Sequence, residues 1–234
     1  MKKENAQERA YNKFYEKEKI NFTKLDLKKW PKNRYEAAVR FLDLKKDKKV
    51  LDVGCGGGVI LNYLKGKCSL YGVDISSKRI ELLKNIFGKE VILEKADLNK
   101  KTLFEDNFFD IIIMSDVIEH IVDRNHTLKE IKRILKKGGT LAIITPNQLK
   151  IKNRIKMLLG KYPSTALENE GYGNKEEILY DGGHLQYFTF RTLEILMKKY
   201  DFKIIKKFGF GRFGKIHNFF PELFSGGIGM LVKK

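Results

Sequence analysis

The stretch Val50-Leu51-Asp52-Val53-Gly54-Cys55-Gly56-Gly57-Gly58 constrains the fold more than any other part of the chain. A short apolar run stops at a cluster of glycines, and a segment with helical spacing (58–65) follows at once. Glycines at such a turn permit positive φ and let a ligand touch the backbone. A strand feeding a helix through a tight turn is half of a β-α-β unit, so the next question is whether the pattern repeats.

It does repeat. Ser69–Asp74, Val91–Glu94, Phe109–Met114 and Thr140–Thr145 read as strands. FDIIIM (109–114) is the continuous apolar run expected of a strand buried on both faces. Helical spacing marks 33–43, with Tyr35, Val39 and Leu42 on one stripe, and 77–87, for which Ser76 supplies an N-cap. It also marks Thr127–Lys136, stopped by Gly138-Gly139, and Thr192–Tyr200. Two further strands, Phe202–Lys207 and Ile228–Val232, flank FFPELFSGG, which turns one strand back antiparallel. The expectation is an α/β doubly wound, Rossmann-like domain. Its seven-stranded sheet is mostly parallel, with helices on both faces and the last strand antiparallel. The whole of 1–234 reads as one domain. Residues 1–49 form an N-terminal helical cap, and 147–183 form an inserted lid or substrate region. That insertion holds a basic amphipathic segment, LKIKNRIKMLLGK, and then a polar one, ENEGYGNKEE.

The glycine turn is not that of a dinucleotide site. The G-x-G-x-x-G fingerprint would need glycine at Val59 or at Leu61. Asp52, two positions before the first glycine, would also repel a pyrophosphate. A carboxylate there suits a cationic ligand. Asp74 ends the next strand, where a carboxylate can accept hydrogen bonds from both hydroxyls of a ribose. Asp97 follows the third strand, in reach of an adenine amino group. Each could instead be an ordinary turn residue. Three such residues at the carboxyl ends of successive strands, the edge where open α/β sheets bind ligands, favour a site.

LDVGCGGG, YGVDIS, ADL, FDIIIMSDVIEHI and LKKGGTLAIITPN, in this order and spacing, resemble the successive motifs of class I S-adenosylmethionine (SAM)-dependent methyltransferases, over roughly residues 30–210. The segment GGHLQYFTFRTLEILMKKYDFKI resembles one common in the small-molecule and glycan-type members. The resemblance implies SAM as cofactor and S-adenosylhomocysteine as product. It places Asp52, Gly54, Cys55, Gly56, Asp74, Ile75, Asp97, Leu98, Ser115 and His120 around them. Quinone-biosynthesis O-methyltransferases carry an arginine one helix upstream that meets the SAM carboxylate. Arg34 has similar spacing, and its alternative is a surface arginine on an amphipathic helix.

The acceptor side leaves three readings open. His184 is a candidate general base, since an imidazole pKa near 6.5 suits proton removal from a hydroxyl. Asp116, Glu119, His120 and His184 are the alternative metal set, by resemblance to small-RNA 3′-end 2′-O-methyltransferases; Asp116 stands where those have glutamate, and the mixed ligand set suits Mn²⁺, Zn²⁺ or Fe²⁺. In the third reading the same residues are structural, His120 packing beside the adenine. His126 and His217 read as surface or capping residues. The terminal aromatics (Tyr11, Phe14, Tyr15, Phe22, Trp30, Phe208, Phe210, Phe213, Phe219, Phe220) read as core or as a pocket cover.

Charge bears on partners. The net charge is +18, of which +8 lies in 1–49, +7 in 198–234 and only +3 between. An excess on the flanks invites an anionic partner such as nucleic acid or an acidic membrane. The excess is mostly lysine, 38 against 9 arginines, and nucleic-acid readers lean on arginine. The expected reaction is therefore methyl transfer to an oxygen, or a nitrogen, of a small-molecule, sugar or lipid-linked acceptor. Metal-assisted RNA 2′-O-methylation and non-catalytic SAM binding are the alternatives. The sequence shows no apolar secretion signal and no run long enough to span a membrane, and its two cysteines form no disulfide framework, so a cytoplasmic protein is expected.

Overall fold

The computed structural model describes residues 6–16, 19–165, 183–211 and 219–234. Helix α1 (Ala6–Glu16) and the short α2 (Arg34–Val39) precede the sheet. Then come β1 (Lys49–Val53), α3 (Val59–Leu64), β2 (Ser69–Asp74), α4 (Ser77–Phe87), β3 (Ile92–Lys95) and β4 (Phe109–Ser115). After β4 the chain runs through α5 (Arg124–Ile134), β5 (Leu135–Pro146), α6 (Ile151–Leu158) and α7 (Phe190–Lys199). It finishes with β6 (Lys203–Phe210), α8 (Pro221–Phe224) and β7 (Gly227–Lys233).

The seven strands lie in the order β3-β2-β1-β4-β5-β7-β6. Pairing is parallel from β3 through β5, and β7 runs antiparallel to both β5 and β6. This is the doubly wound sheet with a reversed last strand that the alternation implied. Because successive strand residues face opposite ways, β4 feeds two cores. Ile112 and Met114 join Leu128, Ile131, Leu193 and Met197 from α5 and α7 on one face. Ile111 and Ile113 join Ala37, Leu61, Leu83 and Phe87 from α2, α3 and α4 on the other. The strand order reverses at β1 and β4, and the crevice above their carboxyl ends is the ligand edge of such sheets.

Local chemistry sets several boundaries. Ser76 caps α4, its hydroxyl accepting from the Arg79 N–H at 3.1 Å. Thr189 and Thr192 form a reciprocal capping pair at the start of α7. The helix read as Thr127–Lys136 is corrected at both ends. It begins at Arg124, behind Asp123, whose carboxylate accepts from the His126 N–H. It stops at Ile134 because Asn107 and Phe108 donate to the carbonyls of Arg133 and Ile134, and Leu135 pairs with Phe109. Lys136 and Lys137 therefore belong to β5, and Gly138, at φ +72°, bends that strand rather than ending a helix. The helix read over 33–43 is likewise shorter, ending at Val39.

Of the 147–183 insertion, residues 147–165 and 183 are described, and α6 is its basic amphipathic segment. The stretch ENEGYGNKEE, Phe213 and His217 lie outside the described residues. Among the described residues no helix is long and apolar enough to cross a membrane. Cys55 and Cys68 are free thiols.

Candidate active site

The loop after β1 is closed upon itself. Gly54 and Cys55 donate their N–H groups to the Val73 carbonyl at 2.8 and 3.0 Å, and Gly58 donates to Cys55 at 2.8 Å. The Gly56 N–H goes to Asp74 Oδ2 at 2.9 Å. A pyrophosphate site needs such groups free to point at the anion, and here they are consumed. Gly54 sits at φ +67°, and a Cβ on it would stand 2.4 Å from Cγ2 of Val117. Only glycine fits, because the loop after β4 leans on this turn.

Three carboxylates rise from consecutive strand ends. Asp74 is fixed from both sides, its Oδ1 accepting from the Ser76 N–H at 2.9 Å and its Oδ2 from Gly56. Burial pushes its carboxyl up, and those backbone donors pull against the shift. Asp52 is buried beside it, and burial followed by the Asp74 charge holds its carboxyl well above the usual carboxylate range. Two buried carboxylates that repel one another are a costly arrangement unless a cationic group or hydroxyl donors complete it. Asp97 is more open. Partial burial opposes its charge, but the Asn99 side-chain and backbone donors win and lower its pKa.

Beyond β4, Asp116 takes φ +52°, a left-handed conformation rare outside glycine, while its N–H donates to Ile144. That turn aims Asp116 Oδ2 at Arg34 Nη1, 2.8 Å away, while Arg34 Nη2 donates to the Tyr35 hydroxyl at 2.9 Å. Burial opposes the guanidinium charge, but Asp116 and Tyr35 outweigh it and raise the arginine pKa. Ser115 Oγ, Asp116 Oδ1 and Glu119 Oε1 are buried without hydrogen-bond partners among the described residues. Ser115 and Asp116 border the cavity described below, where a bound polar group would satisfy them.

A one-turn 3₁₀ helix, Ile118–His120, presents His120 to the cavity and tucks Glu119 behind it, 1% exposed, with Oε2 accepting from Thr145 at 3.0 Å. Burial first, and then Asp116, push the Glu119 carboxyl well up. His120 Nδ1 lies 3.0 Å from the Gly183 carbonyl. A carbonyl only accepts, so Nδ1 carries the proton and Nε2 the lone pair. Burial and the nearby His184 lower this imidazole to about 4, so it is neutral near pH 7. The His184 ring lies 4.8 Å from that of His120, and its Nδ1 is 2.7 Å from Thr165 Oγ1. Ligand atoms of Glu119, His120 and His184 all lie within 4.8 Å of one another.

One cavity of about 730 Å³ joins these groups. Every residue anticipated for the cofactor lines it: Arg34, Asp52, Gly54, Cys55, Gly56 and Asp74 on one side. Ile75, Asp97, Leu98, Ser115 and His120 complete that set, and His184 and Asp116 border the same space. The fourth member of the metal alternative does not join the other three, since Asp116 turns to Arg34. The roof comes from α1, whose docking is polar. Ser76 Oγ donates to Asn12 at 2.5 Å, Ser77 Oγ to Glu8 at 3.2 Å, and Gln7 Nε2 to the His120 carbonyl at 3.0 Å. Tyr11 and Tyr15 thereby face the cavity, Tyr15 stacked 4.1 Å above the guanidinium of Arg79. Phe14 and Phe210 also line it, whereas Phe208 is core and Phe219 and Phe220 are exposed.

Gln7, Arg79, Asn99 and Thr165 were not anticipated. Arg79, one turn into α4 from Asp74, had a positional signal. Gln7 and Thr165 had none, since only tertiary structure brings them in.

A doubly wound sheet with carboxylates at three successive strand ends is the arrangement shared by the class I SAM-dependent methyltransferases. A family model described as "Methyltransferase domain" matches residues 27–207, and the chain belongs to that family. A ubiquinone biosynthesis O-methyltransferase of Pelagibacter ubique is 32% identical over 105 residues, 44% of this chain and 44% of that one. A phosphoethanolamine N-methyltransferase of Triticum aestivum is 37% identical over 110 residues, 45% of this chain and 22% of that one. The matches thus span less than half of these relatives' lengths. The crystal structure of a SAM-dependent methyltransferase from Aquifex aeolicus superposes with a TM-score of 0.56 at 20% identity, covering 85% of this chain and 88% of that one. The cofactor of the class is SAM, and this donor set fits it. Buried carboxylates face the cavity, and SAM has a sulfonium, an ammonium and no phosphate.

Proposed function

We propose that the protein transfers a methyl group from SAM to an oxygen, or a nitrogen, of a small-molecule, sugar or lipid-linked acceptor. The observation that carries this reading is the single cavity joining the carboxylates to the paired imidazoles. Bound there, SAM supplies a methyl group already activated by the sulfonium. Asp52 takes the ammonium of the amino-acid portion, Asp74 the ribose hydroxyls and Asp97 the adenine amino group. Arg34, held by Asp116 and Tyr35, is placed for the carboxylate. Ile75 and Leu98 pack the adenine, and Gly54, Cys55 and Gly56 keep the floor thin.

At the other end His184 is the general base. With Nδ1–H donating to Thr165, its Nε2 lone pair can accept the acceptor's hydroxyl proton as the oxygen takes the methyl. Neutral His120 spares His184 a second positive charge. Placement of the acceptor under α1, away from water, supplies much of the remaining rate.

Transfer of labelled methyl from SAM to hydroxylated acceptors tests the reading. Turnover by the wild type and its loss in His184→Ala support it. Equal turnover by His184→Ala removes the base assignment, and SAM binding without turnover across acceptor classes favours a non-catalytic binder. A metal-assisted reaction, as in RNA 2′-O-methylation, has one observation on its side, the convergence of Glu119, His120 and His184. Turnover that survives exhaustive chelation would dismiss it.

A further inference from the structure

Helix α6 is inverted relative to a helix packed on a core. Its polar Asn153 points inward, fully buried, with Nδ2 donating to the carbonyls of Gln148 and Pro163 at 3.1 Å each. On the opposite face lie Ile151, Ile155, Leu158 and, just past the helix, Leu159. At about 100° per residue they span an arc of roughly 100°. All four are exposed, Leu158 at 86% and Leu159 at 66%. A core-packed helix would turn this stripe inward.

Cations border the stripe. Lys152 and Lys156 lie on one flank and Arg154 on the other, and Lys161 follows. Residues 147–165 hold five basic side chains and no acidic one. The face also leads to the acceptor end of the cavity. Four residues past Lys161, Thr165 bonds His184, and the Tyr162 and Tyr187 hydroxyls meet at 2.5 Å. Exposed Phe219 and Phe220 lie at the same sheet edge, in the β6–β7 connection. Asn147 ties that connection down through the carbonyls of Glu222 and Ser225, at 3.0 Å each.

We propose that this face docks on an anionic lipid bilayer, with α6 lying in the interface and the acceptor end of the cavity turned toward the membrane. An apolar stripe flanked by cations, on a helix whose protein-facing side is polar, is the pattern of an interfacial helix. A second copy of the chain is a poor occupant, because a two-fold contact would bring the same cations face to face. The proposal deepens the acceptor reading above and rests on it for the substrate, which becomes a lipid-linked or membrane-dissolved one.

Co-sedimentation with vesicles, no methyl acceptor present, tests it. The probes are phosphatidylcholine alone and phosphatidylcholine mixed with phosphatidylglycerol, at low salt. Binding is expected only to the mixed vesicles. Each cation removed is worth about fivefold in partitioning, so Lys156→Glu with Lys161→Glu lowers it by at least about 25-fold. Leu158→Asp with Leu159→Asp abolishes it. Both pairs keep their circular dichroism and their SAM affinity, since neither lies on the cavity. Failure of the wild type to bind anionic vesicles overturns the proposal. So does wild-type binding by both variants, or a dimer in sedimentation that Leu158→Asp dissolves. Vesicle binding without turnover on any acceptor upholds the docking and counts against the acceptor reading.

Discussion

The two ends of the cavity are assembled by different means. At the donor end, Asp52, Asp74 and Asp97 stand at the carboxyl ends of neighbouring parallel strands, and backbone donors fix Asp74 through both oxygens. At the acceptor end, partners come from far along the chain. His120 and Gly183 are 63 residues apart, and Gln7 reaches the His120 carbonyl from 113 residues away. The sheet positions the first set, so its geometry follows from strand pairing. The second set depends on a left-handed residue, a 3₁₀ turn and an insertion. A cofactor common to a class belongs on the sheet, and an acceptor that differs among members belongs on the connections.

Gly54→Val should do the most damage, because Gly54 is where the two ends touch. Strain at positive φ and the collision with Val117 should cost about 2–4 kcal/mol of stability and abolish SAM binding. Urea unfolding and calorimetry check both losses; a variant with wild-type values would show the ends to be uncoupled. His184→Ala should lower kcat by about 10²–10⁴-fold and leave SAM affinity unchanged. If it weakens SAM binding as Asp74→Ala does, the division into two ends fails.

Protonation sharpens the contrast. Burial and Asp74 raise the Asp52 carboxyl, so below that raised pKa it holds a proton that must leave before it can pair with an ammonium. SAM affinity should rise with pH across that range by up to about tenfold per unit. Calorimetry in buffers of different ionisation enthalpy should record proton release, and Asp52→Asn should remove it. An unchanged release in that variant would shift the titrating group elsewhere. The smallest effect is expected away from both ends. Glu130 accepts from the Thr102 N–H and hydroxyl at 2.7 and 2.6 Å and pairs with Arg133. Burial resists its charge, but Arg133 and Thr102 lower its carboxyl to about 2 from 4.5. Its contribution is complete above 4.5 and lost as pH falls toward 2. Glu130→Gln should cost about 1 kcal/mol at pH 7, less in acid, with no change in SAM binding.

The sheet was legible because each strand carries its signal within a few residues: an apolar run, a carboxylate, a turn. The donor end inherits that legibility, so Asp52, Asp74 and Asp97 could be placed from spacing alone. The end of α5 was not legible. Lys136 and Lys137 fit the helical pattern, and only pairing of Leu135 with Phe109 draws them into β5. The metal alternative shows the same limit. Glu119, His120 and His184 do converge, but the turn at Asp116 sends that carboxylate to Arg34, and sequence spacing does not show a φ of +52°. Nor does any local pattern bring Gln7 to the His120 carbonyl.

The most direct test of the central claim is calorimetric titration of the wild type and Asp74→Ala with SAM and S-adenosylhomocysteine. The expected result is micromolar binding of both ligands to the wild type, weakened about 10–100-fold in folded Asp74→Ala by loss of the charge-assisted hydrogen bonds to the ribose. Equal affinities in the two proteins, or no binding of either ligand to the wild type, would contradict the assignment of this cavity to SAM.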